Sequence, residues 1–552
     1  TVMNPLRLIN NKIIGFKGDI MQLNEYFTGT LTLIKLSLRR DRIIIPIFII
    51  FILIVILGTV ATFVNLYSDP MSRYLFYVQT QNSPSLIILL GSILDQSIGG
   101  LTAWRTGIAG PLIIGLINIF LLVRHTRSEE RRGRLELLVS TSLGRQSPLT
   151  SALLTNFILD ILISVLIAIG LIGFGLDETS SLVLGLSIGI FGILFTSITA
   201  IAVQLTESSN NARYLSVSLL IGFYILRMIG WDNGNVIWLS WLSPYGWVHY
   251  LSAFAGNDIW VFGLFIVSII ILTIIAYWLS SIRDVGSGVI TKRTGHKNAA
   301  KTLRSSLALT WRLQRNMFIF WLTVLTLFGA INGALALTAT NLISANPLFL
   351  KLIYHAGYTS PVDNYFAISL GLFAIVFSVY AILATMNLRT EESERYSDML
   401  LTNSVSRNSW IFNNLIFGFI APAFIMIIFS LAMALAYGYS ANISYDPTKL
   451  LIATLAYLPA IWILTGLTVL LFGLKPRLTS LSWAVLGLFL IVSLLGEFSN
   501  INQNILNLSP FTQVPNILIG NSITTNLVWV FIIGIALTII GLYSYNHRDI
   551  NG

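Results

Sequence analysis

Two stretches of the chain concentrate charge in one recurring pattern. Arg127-Ser-Glu129-Glu130 returns 262 positions later as Arg389-Thr-Glu391-Glu392. Without a gap, Glu136 then aligns with Asp398 and Arg145 with Arg407. Glu130 and Arg134 stand at i, i+4 with the acid first, the favourable order on a helix, and Glu391 and Arg395 repeat that spacing. The pattern predicts a helix from Arg127 to Val139, roughly 20 Å long at the α-helical rise. Its chemistry is recognition rather than catalysis. A single copy would read as a solvated face with ion pairs worth a few tenths of a kcal/mol each. Two copies at one position favour a docking surface for a cytoplasmic partner, and the two loops hold seven of the chain's 23 acidic residues.

A second group of polar residues lies inside apolar runs. A charge at Asp160 would cost roughly 2.5–3.5 kcal/mol at a bilayer centre, so it is expected to face a bundle interior. Two readings stay open for it: a polar contact or proton site in a substrate path, and a hydrogen bond between helices. Asn156, one turn earlier, poses the same question. Arg227, near an outer membrane boundary, is carried as a third substrate-path candidate, although it could also snorkel to the interface. No catalytic or metal residue is assigned. There is no G-x-x-x-x-G-K-[ST] and no cysteine, and the five histidines lie in separate segments. Gly185-Leu-Ser187-Ile-Gly189 formally fits a nucleophile elbow but sits within an apolar run, where its small residues suit close helix packing instead.

The elements that must carry these residues follow from composition. Of 552 residues, 55% are hydrophobic and 10% charged, with a net charge of +10 and a mean hydropathy of +0.80. Ordinary soluble proteins carry about 25% charge, so a soluble enzyme and a disordered chain are both excluded. Positive charge scattered among hydrophobic runs argues against nucleic acid as a partner. Unbroken runs such as IIIPIFIIFILIVILG exclude the alternation of a transmembrane β-barrel. The fold class is an all-α integral membrane protein.

Twelve spans are expected, each needing about 20 apolar residues. The first six lie near 43–64, 107–124, 148–174, 180–204, 212–230 and 258–280. The second six lie near 317–337, 366–386, 411–436, 450–474, 480–496 and 527–545. The first apolar run follows a basic stretch without a small-residue cleavage site, and reads as an uncleaved span. With a cytoplasmic N-terminus, 28 Lys and Arg fall on cytoplasmic segments and four on external ones. That asymmetry is the positive-inside signature, and it places the C-terminus in the cytoplasm as well. The external segment 65–106 contains SLIILLGSIL, too short to span. Trp231, Trp238, Trp241 and Trp247 in 231–257 read as an aromatic belt or as part of a substrate exit.

The halves repeat. Arg213-Tyr-Leu-Ser216 matches Arg477-Leu-Thr-Ser480, Leu242-Ser243-Pro244-Tyr245 matches Leu508-Ser509-Pro510-Phe511, and Arg283-Asp284 matches Arg548-Asp549, all at offsets of 264 to 266. An even number of spans separates each pair, so two parallel pseudo-symmetric six-helix bundles are expected. The organisation is a cytoplasmic N-terminal segment 1–42, a first half 43–280, a basic linker 281–316, a second half 317–545 and a tail 546–552. The linker's lysines and arginines suit contact with anionic membrane lipid.

LRRDR (38–42), RSEERRGRLELL (127–138), WLSPYGW (241–247), RDVGSGVI (283–290), LALTWRLQR (307–315), LPAIWILTGLTVLLFGLKPR (458–477) and LSPFTQVP (508–515) carry a resemblance. The chain resembles the permease subunit of bacterial polyketide-antibiotic exporters, within the type-2 ATP-binding-cassette exporters. The resemblance covers the chain beyond about residue 27. It implies that Arg127, Glu129, Glu130, Arg134, Glu136, Arg389, Glu391, Glu392 and Asp398 belong to coupling helices seated on two copies of a cytoplasmic ATPase subunit. It also implies that an interfacial elbow helix precedes each half, and that ATP and magnesium are bound only by the partner. The substrate it implies is a hydrophobic polyketide-like drug, and the location the bacterial cytoplasmic membrane. The competing expectation is a secondary proton-coupled multidrug antiporter, which shares twelve spans and two parallel halves. In the second loop Arg395 and Tyr396 replace Gly133 and Arg134, so the two docking points are expected to be unequal.

The absence of cysteine gives a direct check on sidedness. Single-cysteine variants at Ser140 and Asn500 should react with a membrane-impermeant maleimide from the cytoplasmic and external faces respectively. Reversal of either result would move every later loop across the membrane.

Overall fold

The computed structural model describes residues 26–82, 84–131, 133, 143–232, 237–284, 286–290, 303, 305–344, 360–393, 396, 400, 402, 405–498, 506–519 and 525–548. Every regular element among the described residues is helical. Eleven of these helices are long and apolar enough to cross a membrane. The remaining expected span, 480–496, corresponds to the 18-residue helix Leu481–Phe498. The chain divides into two compact units, Thr1–Thr294 and Gly295–Gly552.

In the first unit, α1 (Thr30–Arg40) is followed by a turn at 41–43 and by α2 (Ile44–Leu66). Two short helices follow, α3 (Pro70–Gln81) and α4 (Pro84–Leu90). The run SLIILLGSIL thus yields a seven-residue helix, about 10 Å long and unable to cross a bilayer. The next elements are α5 (Ile98–His125), α6 (Arg127–Arg131), α7 (Ser147–Gly173), α8 (Glu178–Leu205) and α9 (Ser209–Asp232). The unit ends with α10 (Ile237–Trp241), α11 (Pro244–Tyr250) and α12 (Val261–Ile282). Helix starts fall where the sequence supplies caps: Asp69, Ser97, Asp177 and Ser243 each accept a backbone N–H of the first turn that follows. Near α10 and α11, Trp241 stacks on Tyr250 at 4.2 Å and on Trp260 at 5.6 Å.

Helix α8 forms the centre of this unit, packed by α5, α7, α9 and α12. The small residues of its G-x-S-x-G stretch make that approach possible. A Cβ on Gly185 would lie 2.5 Å from the Ser164 carbonyl oxygen, and one on Gly189 would lie 2.8 Å from that of Asp160. The expected close helix seam is therefore present between α7 and α8. Ser187 donates to the Leu184 carbonyl oxygen within its own helix. By contrast, α2 and α12 present Ile54, Ile270, Ile274 and Trp278 outward, an apolar surface suited to an apolar environment rather than to water.

The second unit contains α13 (Ser306–Ser344), α14 (Pro361–Ser393), α15 (Arg407–Ala441), α16 (Pro447–Leu455), α17 (Leu458–Leu474), α18 (Leu481–Phe498) and α19 (Thr525–Asn546). The expected span 450–474 is broken at 456–457, immediately before Pro459, whose ring and missing N–H interrupt a helix interior. The second elbow differs from expectation: α13 runs unbroken through 306–344 instead of forming a separate helix before the span. In the first unit the turn at Asp41 is pinned, because that buried carboxylate meets His125 Nε2 at 2.6 Å and Arg124 at 2.7 Å. Burial alone would raise the Asp41 pKa, but its bonds to His125 and Arg124 outweigh that and hold it below the usual carboxylate range. At 313–317, Leu-Gln-Arg-Asn-Met offers no acid to anchor such a turn.

Helices α17 and α19 meet through glycines one heptad apart. Gly466 lies against the Gly534 carbonyl and Gly473 against that of Gly541, where a Cβ would come within 2.6 and 2.2 Å respectively. Gly473→Val should therefore force the two helices apart and cost about 1–3 kcal/mol, seen as a lower thermal midpoint in detergent. Gly58→Val, at a helical position whose Cβ meets nothing within 4 Å, should leave the midpoint close to wild type.

Candidate functional site

The acidic loop of the first unit is built around two arginines. After α5, Thr126 leaves helical geometry and Arg127 begins α6. The Arg127 side chain is 1% exposed. Its Nε donates to the Val203 carbonyl oxygen at 2.7 Å, near the end of α8, and its two terminal nitrogens donate to Ser287 O at 2.8 Å and Glu130 Oε2 at 2.5 Å. Arg283, which follows the last residue of α12, holds both Glu130 oxygens, the contact to Oε2 being 3.0 Å, and also donates to Ser287 O. Arg145 donates to the carbonyl oxygens of Ser281 and Arg283 at 2.8 and 3.2 Å. The end of the second span, the start of the third and the end of the sixth are thereby joined at one point.

The second unit repeats this arrangement. Both Glu392 oxygens accept from Arg548 at 2.7 and 2.6 Å, just beyond the end of α19. Arg548 also donates to Phe472 O at 3.0 Å, and its guanidinium lies over the Phe472 and Tyr545 rings. Arg407 donates to the Arg548 carbonyl oxygen at 3.3 Å. Glu130 and Glu392, Arg145 and Arg407, and Arg283 and Arg548 are the pairs aligned by the repeat; in each unit the glutamate meets the last-span arginine, and that arginine's carbonyl oxygen accepts from the arginine before the third span.

Other aligned residues diverge. Glu129 reaches Arg40 of α1 at 2.7 Å, whereas Glu391 turns into the unit. There it accepts from Trp410 Nε1 at 2.8 Å, Asn387 Nδ2 at 2.7 Å and Asn414 Nδ2 at 3.4 Å. Arg389 donates to Ser480 Oγ at 2.7 Å and Thr479 Oγ1 at 3.1 Å, not to the acid beside it.

One expectation is corrected here: the helix anticipated over 127–139 ends at Arg131, and Gly133 takes φ +68°, a left-handed conformation that glycine tolerates and that interrupts an α-helix. Glu130 pairs with Arg127 and Arg283; Arg134, Glu136 and Asp398, and with them the expected Glu130–Arg134 pair, lie outside the described residues. The described part of the charged face is not freely solvated. Arg127, Glu130, Glu391 and Glu392 are turned inward and engaged within the chain. Arg283 and Arg548 were not singled out as functional from sequence, although their aligned Arg-Asp dipeptides were the available signal.

Asp160, Asn156 and Arg227 are all buried within the first unit. Asp160 Oδ1 accepts from Asn118 Nδ2 of α5 at 2.8 Å, and Asn156 Nδ2 donates to the Asn118 carbonyl oxygen at 3.3 Å. These bonds link α5 to α7 inside the bundle, and Gly192 of α8 closes over them, since a Cβ there would lie 2.7 Å from Asp160 Oδ1. Of the two readings of Asp160, the bond between helices is the one present in this geometry. Arg227 does not snorkel outward. It donates to Ile88 O and Leu89 O at 3.1 and 2.8 Å, beside Tyr224 on Leu89 O, and so caps the C-terminal end of α4 where carbonyls and the helix dipole favour a cation. Among the described residues no cluster of three His, Cys, Asp or Glu could hold a metal ion. The first unit also carries an apolar groove of about 420 Å³ between α8, α9, α11 and α12, lined by residues including Leu194, Ile198, Leu219, Phe223, Trp247 and Ile271.

Every bond the Glu391 carboxylate makes is an accepted one. Glu391→Gln places an amide N–H against a donor and should destabilise the protein by about 1–3 kcal/mol, measurable as a lower thermal midpoint. Glu129→Gln, at a partly exposed pair, should shift the midpoint far less.

The comparisons with known proteins agree with this architecture. A family described as the C-terminal domain of the multidrug efflux system permease Rv1217c matches residues 303–546. The multidrug efflux system permease protein Rv1217c of Mycobacterium tuberculosis is 33% identical over 528 residues, which are 95% of this chain and 96% of that protein. With that identity over nearly the full length of both, the chain belongs to the multidrug efflux system permease family.

Proposed function

We propose that this permease is the membrane-spanning subunit of an ATP-driven exporter. Two copies of a separate cytoplasmic ATPase subunit engage the loops 124–147 and 387–410, one in each half, and supply the ATP and magnesium that this chain has no phosphate-cradling loop to bind. Hydrolysis there drives the halves between inward- and outward-facing arrangements. The protein resides in the bacterial cytoplasmic membrane with both termini in the cytoplasm, a reading supported by the distribution of 28 cytoplasmic against four external basic residues.

The observation that carries the proposal is the duplicated junction of Glu130 with Arg283 and of Glu392 with Arg548. Each fastens the segment leading out of the second span of its half, the short helix after it in the first unit and its last turn in the second, to the end of the last span. A partner gripping such a loop would act on a firm point of attachment rather than on a slack connection. The substrate class is a hydrophobic antibiotic or drug, polyketide-like in character. The apolar groove of the first unit, within the size range of small-molecule sites, supports that class.

Export should be tested in cells carrying the permease with its ATPase, using erythromycin as the polyketide probe. Depletion of ATP with the proton gradient held should abolish efflux, and an uncoupler at constant ATP should leave it intact. The opposite pattern would overturn the ATP-driven reading in favour of a proton-coupled antiporter.

A further inference from the structure

We propose that Arg283 and Arg548 are positioning residues for transport: through Glu130 and Glu392 they make the last span of each half move as one body with the segment that leads out of its second span, a short helix in the first unit and the last turn of α14 in the second. The inference rests on the reading of the loops 124–147 and 387–410 as the points where a partner acts. It adds the route by which their movement reaches a membrane-spanning helix.

The argument starts from what the two units do and do not share. Their surroundings have diverged at almost every neighbouring position. The second span breaks at Thr126 before α6 in the first unit, but α14 continues through Glu391 and Glu392 to Ser393 in the second. Glu129 goes to the N-terminal helix and Glu391 to the interior. Arg127 bonds backbone carbonyls, and Arg389 bonds hydroxyls. Through these differences the arginine at the end of the last span holds both oxygens of the second glutamate in each unit. Each arginine's own carbonyl is held in turn by the arginine that opens the third span, Arg145 or Arg407. A contact that followed passively from local backbone shape would have changed along with that shape.

Stability alone is a poor reason for the pair. Withdrawing two charges from water costs about as much as their attraction returns, and apolar substitutes of equal volume often serve as well. In the first unit two Arg283 nitrogens each take one Glu130 oxygen; in the second a single Arg548 nitrogen takes both Glu392 oxygens while the other terminal nitrogen holds the Phe472 carbonyl. What the arginine adds in either form is direction. The planar guanidinium fixes the distance and the angle between the elements it joins, which the point charge of a lysine does not. At the end of a helix it also sits where the carbonyls attract a cation. The contact therefore suits an element that must transmit a displacement without slack.

The second unit offers the cleaner test, because Glu130 also contacts Arg127 and a reversed charge there would face a like one. Erythromycin efflux is measured per membrane-inserted permease in cells carrying its ATPase, for Arg548→Gln, Glu392→Gln, the exchange Glu392→Arg with Arg548→Glu, and the charge-preserving Arg283→Lys and Arg548→Lys. Each glutamine variant should lose about tenfold or more in efflux rate, the scale of a broken buried pair. The exchange should recover part of that loss, since a carboxylate at 548 cannot donate to the Phe472 carbonyl, and the lysine variants should fall by a few-fold while inserting normally. Half-saturating drug concentration should stay near wild type, because neither arginine lines the apolar groove offered as the drug site. Wild-type efflux in the glutamine or lysine variants would overturn the inference, as would an exchange variant that inserts normally but recovers nothing. If the glutamine variants fail to insert, the lysine variants decide. Spin labels on Arg131→Cys and Ile282→Cys give a second reading in the cysteine-free chain: one narrow distance, unchanged on adding ATP, that broadens in Arg283→Lys. A distance that shifts with ATP in the otherwise wild-type chain would also overturn the inference. Loss of ATP dependence alone would sink the ATP-driven reading and leave the transport result of these variants standing.

Discussion

A carboxylate withdrawn from water has to be given donors, and at the ends of these helices that carry the charged loops that requirement decides which elements meet. Glu130 and Glu392 are supplied by arginines more than 150 positions along the chain. Asp41 is supplied by Arg124 and His125, and Glu391 by two amides and an indole. Each solution ties a loop or turn to the end of a span. Within each unit the spans pack closely where small residues face each other, as at Gly473 against Gly541, which sets their register in the apolar interior. The polar junctions fix the register at the helix ends.

The two units satisfy this requirement by exchanging parts. At the repeat offset of 262, His125 aligns with Asn387 and Pro148 with Trp410. His125 serves the acid of the elbow, Asp41; Asn387 serves the acid of the loop, Glu391. The elbow of the second unit brings an amide in place of an acid, Gln314, which donates to Asn414 Oδ1 at 2.8 Å, and Asn414 in turn donates to Glu391. Proline at 148 has no N–H to offer a second buried acid, and Glu129 points instead to Arg40. Among the described residues, each unit therefore holds one further buried, multiply bonded acid beside the glutamate paired with its last-span arginine, contributed from opposite sides of the same junction. The two loops are consequently unequal surfaces even though their sequences align.

Much of this was legible in the sequence, and the limits follow from physics. Spans could be read because a membrane helix satisfies its own backbone and declares itself by unbroken apolarity. The repeat could be read because charged residues are rare enough for their spacing to stand out. The destination of each charge could not. The i, i+4 spacing of Glu130 and Arg134 describes a helix surface and says nothing of Arg283, which lies 153 positions away. A single glycine at 133 ended a helix that propensity would have carried onward. Asp41 stops α1 only because it is anchored, a tertiary fact that the dipeptide Asp-Arg does not contain. Asp160 was recognised as a residue requiring a partner, but Asn118 was identifiable only once α5 and α7 were placed side by side.

Asp160 also separates what the halves share from what belongs to one of them. At the same offset, Asn118 faces Tyr380, Asn156 faces Gly418 and Asp160 faces Pro422. The polar group that joins α5 to α7 within the membrane thus has no counterpart in the second unit, where α14 and α15 pack through aromatic and aliphatic side chains such as Phe377 and Phe429, whose rings meet edge-on at 5.2 Å. The interiors of the two bundles have been rebuilt with different chemistry, while the Glu–Arg junction at their charged-loop ends is kept. A membrane interior can be filled in many ways, provided volume and polarity are balanced. A junction that must pass movement from a loop to a helix has fewer solutions, because both its length and its direction are constrained.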